Sequence, residues 1–133
     1  MRRVLALCCL PLCLAVAACG TTTSTSKFKG EEHEAAQTVA DLQSDVSSSD
    51  EKKICTNDLS ATVVQRLGGT KACEAAIKEQ LKEIDSTELE VQSVKVAGDV
   101  ATVTVKSVYG GKKRQSTLTL RKEGGKWKIV SLG

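Results

Sequence analysis

The spacing of apolar residues changes from a helical to a strand period after Asp85, and this change divides the chain into two halves. From Glu31 to Ser47 apolar residues recur every three or four positions, which is typical of an amphipathic helix with one buried face. A short helical turn is predicted over Glu51–Cys55, a second stripe follows from Leu59 to Leu67, and a last helix is predicted over Lys71–Ile84. The predicted buried positions are Ala35, Val39, Leu42 and Val46, then Leu59, Val63, Val64 and Leu67, then Cys73, Ile77, Leu81 and Ile84. Thr70 is the predicted N-cap of the last helix.

Beyond this point apolar residues alternate with polar ones, which predicts strands. Three glycine turns, at Gly98-Asp99, Gly110-Gly111 and Gly124-Gly125, divide the region into four strands. The alternation slips by one residue near Gln92-Ser93, which indicates a β-bulge in a bent first strand. Helices followed by an antiparallel meander predict an α+β domain with the helices packed on one face of a curved four-stranded sheet.

The last strand carries the motif Gly-Gly-Lys-Trp-Lys-Ile-Val at positions 124–130. A helical half with two cysteines, followed by a meander that closes on this motif, resembles small exported nuclear-transport-factor-2-like domains, which are common as lipoproteins of actinobacteria. The likeness covers roughly residues 31–133. It implies a cone-like fold whose sheet wraps the helices and often encloses a pocket. Some relatives are enzymes such as ketosteroid isomerases, and many are non-catalytic binding or accessory modules.

The N-terminus has the pattern of an export signal. Arg2 and Arg3 precede an apolar run of about fifteen residues, shorter than the roughly twenty needed to span a bilayer. Val16-Ala17-Ala18-Cys19 resembles the bacterial lipobox, in which the cysteine thiol receives a diacylglycerol and the signal is cut before it. This resemblance implies a signal peptide at 1–18, lipidation of Cys19, a flexible polar tether at 19–30 and a domain at 31–133. An ordinary signal peptide with a chance cysteine is the alternative.

Cysteine usage follows from this processing. The chain has six cysteines, of which Cys8, Cys9 and Cys13 leave with the predicted signal and Cys19 takes the lipid. The remaining pair, Cys55 and Cys73, is predicted to form one disulfide, as expected for an exported protein. The alternative, a redox-active or metal-binding pair, has neither a CxxC spacing nor a neighbouring histidine in its favour.

Charge is distributed unevenly. Residues 30–90 carry six basic and fourteen acidic side chains, whereas residues 91–133 carry nine basic and two acidic ones. The candidate docking patch consists of Lys112, Lys113, Arg114, Arg121, Lys122, Lys126 and Lys128. It either faces anionic lipid headgroups, a wall polymer or an acidic protein partner, or simply keeps the sheet edge soluble. A nucleic-acid partner is not expected because aromatic stacking residues are scarce.

Candidate catalytic residues are few. The chain has one Phe, one Trp and one Tyr, which argues against a pocket for ring stacking. His33 is expected to be a solvated residue in an acidic helical turn, and Tyr109 a packing residue at a strand end. Asp58, Asp85 and Glu88 have no evident partner that would tune their pKa values, and no metal or cofactor motif is present.

We therefore expect a non-enzymatic binding or accessory lipoprotein that lies at the outer face of the cytoplasmic membrane and needs no cofactor. The alternative is a small-molecule-binding or enzymatic domain that uses the interior of the cone. Because alanine, valine, leucine and isoleucine supply nearly all apolar residues, we expect that interior to be small or closed.

Overall fold

The computed structural model describes residues 23–84, 88–109 and 111–132. Four helices come first: α1 (Gly30–Ser47), α2 (Glu51–Lys53), α3 (Ala61–Arg66) and α4 (Thr70–Lys82), with a π-helical turn at Ile54–Asp58. Four strands follow: β1 (Glu88–Ala97), β2 (Val100–Tyr109), β3 (Lys112–Glu123) and β4 (Lys126–Leu132). They form one antiparallel sheet in the order β1-β2-β3-β4. The predicted α+β architecture is confirmed. None of the helices in these ranges has the length and apolar character needed to span a bilayer.

The sheet is bent at two irregularities. The β1–β2 register shifts between Val91 and Ser93, where the sequence predicts a bulge. A second shift lies in the β3–β4 pairing between Thr119 and Leu120, and the short pattern of β4 gave no sign of it. Each bulge increases the local twist, so together they curve the sheet around the helices.

The core lies between α1 and the concave face of the sheet. Its largest fully buried apolar side chains are Ile54, Leu120, Ile129, Val39, Val91, Val103 and Val105. Ala35 and Ala36 of α1 are also fully buried, and their small side chains allow the helix to lie close to the strands. These side chains occupy the inside of the cone, so the candidate sites described below lie along its sides.

The buried face of α1 contains two polar residues that the apolar pattern did not predict. Leu42 and Val46 pack on the core but stay half-buried, whereas Gln43 and Asp45 are buried. Gln43 Oε1 accepts a hydrogen bond from the backbone N–H of Leu89 at 2.6 Å, which ties α1 to the start of β1. Asp45 faces the π-helical turn. Specific hydrogen bonds thus set the orientation of the second half of α1.

The chain preceding α1 lies along the outer edge of β1. Thr23 Oγ1 is 2.6 Å from both the Leu89 carbonyl oxygen and Gln43 Oε1, and Lys27 Nζ donates to the Gln92 carbonyl at 3.2 Å. Phe28 packs against the core. Residues 23–29 of the predicted tether therefore contact the domain. The predicted signal peptide and Cys19 lie outside the described residues.

Candidate functional site

A groove runs between α1, the π-helical turn and the first residues of β4. Its volume is about 460 Å³, within the range of small-molecule sites. The groove is lined by His33, Glu34, Gln37, Thr38, Asp41, Asn57, Asp58, Lys126, Trp127 and Lys128. Polar groups from three elements therefore converge on one space at the side of the cone.

Asp58 is the buried carboxyl of this groove. It ends the π-helical turn and is 3% exposed. It hydrogen-bonds with the Asp45 side chain, and its Oδ2 atom has no hydrogen-bond partner within the described residues. A buried oxygen without a hydrogen-bond partner is costly, so Asp58 Oδ2 is an unsatisfied polar atom in the wall of the groove.

The surroundings of Asp58 favour the neutral form of its carboxyl. Burial and the nearby carboxylates of Asp45 and Asp41 raise the pKa of Asp58 to about 7, and the Lys128 ammonium opposes this rise only partly. The charge of Asp45 thus disfavours ionisation of the Asp58 carboxyl. The Asp58 carboxyl can either donate a hydrogen bond to a ligand or accept one from it.

The π-helical turn that carries Asp58 is held from both sides. The disulfide between Cys55 and Cys73, predicted from the sequence, connects the turn to α4 with its Cα atoms 6.1 Å apart. On the other side, Leu59 forms a parallel bridge with Ile129 of β4, and the Ser60 N–H donates to the Ile129 carbonyl at 2.9 Å. The turn therefore has little freedom to move Asp58 away from α1. Turns of this type are often found at functional sites.

Trp127 forms the opposite wall of the groove. Its indole Nε1 donates to Glu31 Oε2 at 3.1 Å, and its backbone carbonyl accepts from Thr38 Oγ1 at 3.4 Å. Lys122 hydrogen-bonds to the other Glu31 oxygen and lies over the indole ring, 5.3 Å from its centre. The hydrogen bond from Lys122 lowers the pKa of Glu31. Because Trp127 is only 3% exposed, its ring packs in the wall and is not available for stacking.

The residues singled out in the sequence fall in different places. His33 is half-buried in the groove, with Nδ1 3.1 Å from the Thr25 carbonyl, and is thus less solvated than expected. Glu88 is exposed at the start of β1. Asp85 and the Tyr109 side chain lie outside the described part of the structure. In the residues that are described, no three potential metal ligands come together.

The seven residues of the candidate docking patch divide into two groups. Lys112, Lys113 and Arg114 begin β3, whereas Arg121 and Lys122 end it and pair with the first residues of β4. In the second group, Lys122 binds Glu31 and Lys128 donates to the Asn57 carbonyl, so part of that charge holds the groove walls. The first group lies beyond the residues that pair with β4.

Sequence reasoning did not find the Asp45–Asp58 pair. Asp58 stands next to the first residue of an apolar stripe, and Asp45 lies between apolar positions of α1, so the apolar pattern marks neither residue as buried. The only local signal is the position of Asp58 three residues after Cys55, since the disulfide draws that segment into the core. The pairing itself depends on how α1 crosses the π-helical turn, which periodicity does not specify.

Comparison with solved structures identifies the fold. A protein titled Rd1NTF2_05, with five substitutions, shares 17% identity over 77% of this chain and 97% of its own, with a TM-score of 0.52. A structure titled "Putative NTF2-like transpeptidase" from Campylobacter jejuni shares 15% identity over 68% of this chain and 92% of its own, with a TM-score of 0.43. The "De novo designed NTF2 fold protein NT-9" shares 18% identity over 71% of this chain and 77% of its own, with a TM-score of 0.41. The fold is nuclear-transport-factor-2-like, as the resemblance in the sequence implied.

No curated protein matches the chain. The model of a family described as "Putative lumazine-binding" matches residues 56–132. The match begins inside the π-helical turn, includes Asp58 and extends to the end of β4. Since it covers more than half of the chain, the protein belongs to this family of lumazine-binding-like domains on a nuclear-transport-factor-2-like fold.

Proposed function

We propose that this chain is a lipid-anchored, extracytoplasmic binding protein that takes a small heterocyclic molecule into the groove between α1, the π-helical turn and β4. The lipobox-like sequence ending at Cys19 supports the anchor and the location. The family match supports a small molecule as the ligand, because the family's description names lumazine binding.

The observation that carries this proposal is the convergence of two carboxyl groups, those of Asp41 and Asp58, on one polar groove of about 460 Å³. Asp58 is buried in the groove wall, and its Oδ2 atom has no donor among the described residues. A ligand N–H or O–H that reaches the Asp58 carboxyl would contribute about 0.5–1.5 kcal/mol while this carboxyl is neutral and about 1.5–3 kcal/mol when it is charged. The structure therefore favours a ligand rich in donors over an apolar one.

Lumazine has this chemistry. It is a bicyclic pteridinedione with ring N–H donors and two carbonyl acceptors. The N–H groups suit Asp58 and the exposed Asp41, and the carbonyls suit the ammonium group of Lys126 at the rim. Recognition would come from polar contacts at the ring edges, since the Trp127 ring is buried in the wall.

Calorimetric titration with lumazine at pH 7.5 tests the proposal. The emission of Trp127, the only tryptophan in the chain, provides a second signal from the groove wall. We expect saturable binding that changes the emission, and we expect Asp58→Asn to weaken it about tenfold or more because one carboxylate acceptor is lost. Asp99→Asn, in the exposed β1–β2 turn, is the matched control and should bind like the wild type. Absence of lumazine binding, or equal weakening by both substitutions, would contradict the proposal.

Acid–base catalysis in the same groove is the second candidate, because the pKa of Asp58, at about 7, is suited to proton transfer at neutral pH. We favour binding alone because the described groove residues include no nucleophile paired with a base. Recovery of unchanged lumazine after long incubation with the protein supports binding. Chemical conversion that is lost in Asp58→Asn would establish an enzyme instead.

A further inference from the structure

Four cations cluster where β2 ends and β3 begins. We define the β2–β3 end by Lys106, Lys112, Lys113 and Arg114. Lys113 pairs with Val108 across the two strands, and Lys106 pairs with Gln115. All four side chains are exposed, and within the described residues none of them forms an ion pair. Glu88 and Glu90 of β1 are the carboxylates beside them, so the end keeps a net positive charge.

The chain preceding α1 arrives at this same end. Thr23 contacts Leu89, Leu89 pairs with Ser107 of β2, and Ser107 pairs with Arg114 of β3. Thr23, Lys106 and Lys113 also line one shared groove of about 390 Å³. The first described residue is therefore a direct neighbour of the basic end.

Cys19 precedes Thr23 by only four residues. A fully extended chain spans at most about 3.6 Å per residue, so four residues reach roughly 14 Å. A lipid on Cys19 would therefore hold the β2–β3 end close to the headgroups. Attraction between exposed charges is effective over about 10 Å at 0.1 M salt, a comparable distance.

We infer that the β2–β3 end is a membrane-docking surface that contacts anionic lipid headgroups. This inference rests on the proposed anchor at Cys19. The bilayer is favoured over a wall polymer or an acidic protein because the chain leads from this end directly to the predicted lipid.

Docking in this orientation leaves the ligand groove accessible. Trp127 of the groove wall pairs with Lys122, ten residues along β3 from Lys112. At about 3.3 Å per residue these positions are roughly 30 Å apart. The groove would thus lie roughly 30 Å from the bilayer end of β3 while the basic end faces the headgroups.

Vesicle co-sedimentation of a chain that lacks the lipid on Cys19 tests the β2–β3 end by itself. The probe is the unlipidated mature chain, residues 19–133 with Cys19→Ser, mixed with phosphatidylcholine vesicles that contain or lack 30% phosphatidylglycerol. We expect binding to the anionic vesicles alone, at low salt, and its loss at 0.5 M salt. Lys112→Glu/Lys113→Glu/Arg114→Glu should weaken this binding at least about tenfold.

The matched control is Lys71→Glu/Lys78→Glu/Lys95→Glu, which changes net charge equally at exposed sites outside the β2–β3 end. It should weaken vesicle binding no more than about threefold, with both variants first shown to be folded by circular dichroism. Equal losses would overturn the inference in favour of bulk charge. No binding by the parent chain would also overturn it and direct the search to wall polymers or proteins. Neither outcome bears on lipidation, which the intact mass of the native protein reports independently.

Discussion

Asp58 is a buried carboxyl whose ionisation lowers the stability of the fold. Its pKa rises from 3.8 in the unfolded chain to about 7 in the folded protein, chiefly because it is buried. Below pH 4 the carboxyl is protonated in both states and carries no penalty. Between pH 4 and pH 7 the unfolded chain releases the proton while the folded protein retains it, so the free energy of unfolding falls as pH rises. Above pH 7 the cost is constant.

Asp58→Asn should remove most of this pH dependence. The cost that it relieves at pH 8 is of order 4 kcal/mol, from the difference between the two pKa values. We expect the variant to gain free energy of unfolding relative to wild type between pH 4.5 and pH 8, measured by urea denaturation.

Asp99→Asn provides the baseline for an exposed carboxylate. The charged groups around Asp58 that remain in the variant are Asp41 and Asp45 on α1, Lys53 on α2 and Lys128 on β4. If the two variants changed in parallel with pH, burial of Asp58 would not be the source of the effect.

At the level of elements, the π-helical turn connects the helical half to the sheet. The disulfide fixes the turn to α4, and Ser60, just beyond it, caps α3 by accepting a hydrogen bond from the Val63 N–H at 3.2 Å. The turn also places Asp58 against α1. Its geometry should therefore affect both stability and ligand binding.

Replacing both cysteines, Cys55→Ala/Cys73→Ala, should lower the free energy of unfolding by about 3 kcal/mol, since the disulfide closes a loop of 18 residues. We also expect weaker lumazine binding, because Asp58 lies in the turn that the disulfide holds. Urea denaturation and calorimetry measure the two effects. Reactive thiols at both positions in the native wild-type protein would refute the disulfide.

The structure differs from the sequence prediction in which residues cap the helices. Ser60→Ala should cost about 1 kcal/mol, because the fully buried hydroxyl caps α3. Thr70→Ala should change stability by less than about 0.5 kcal/mol, because Gly69 occupies the cap position of α4 and Thr70 is its first helical residue. A larger loss at Thr70 than at Ser60, measured by urea denaturation, would restore the capping role that the sequence predicts for Thr70.

The sequence was sufficient for the elements but not for their contacts. Apolar periodicity and glycine turns predicted the helices, the strands and the bulge near Ser93, because each depends on local spacing. The apolar pattern did not predict that Gln43 and Asp45 would be buried on α1. Their burial depends on partners 46 residues away at Leu89 and across the groove at Asp58. Polar pairs of this kind do not produce a periodic pattern in the sequence.

At the scale of the whole molecule, the acidic and the basic residues are concentrated in different parts of the fold. The acidic first half supplies Asp41 and Asp58 to the groove, and the basic second half supplies the β2–β3 end. A protein anchored through Cys19 could dock the β2–β3 end on an anionic bilayer while the groove remains open to solvent. The orientation on the membrane depends on the proposed lipid, whereas the groove and the basic end are formed by the fold itself.

The intact mass of the protein extracted from membranes, with and without reductant, tests the lipid-anchored account most directly. The account predicts the mass of residues 19–133 plus a diacylglycerol-modified cysteine, with two hydrogens added on reduction of the Cys55–Cys73 bond. A mass without lipid, or one that includes residues 1–18, would contradict the anchor and with it the membrane orientation. Binding in the Asp58 groove would then have to be explained for a freely secreted or unprocessed protein.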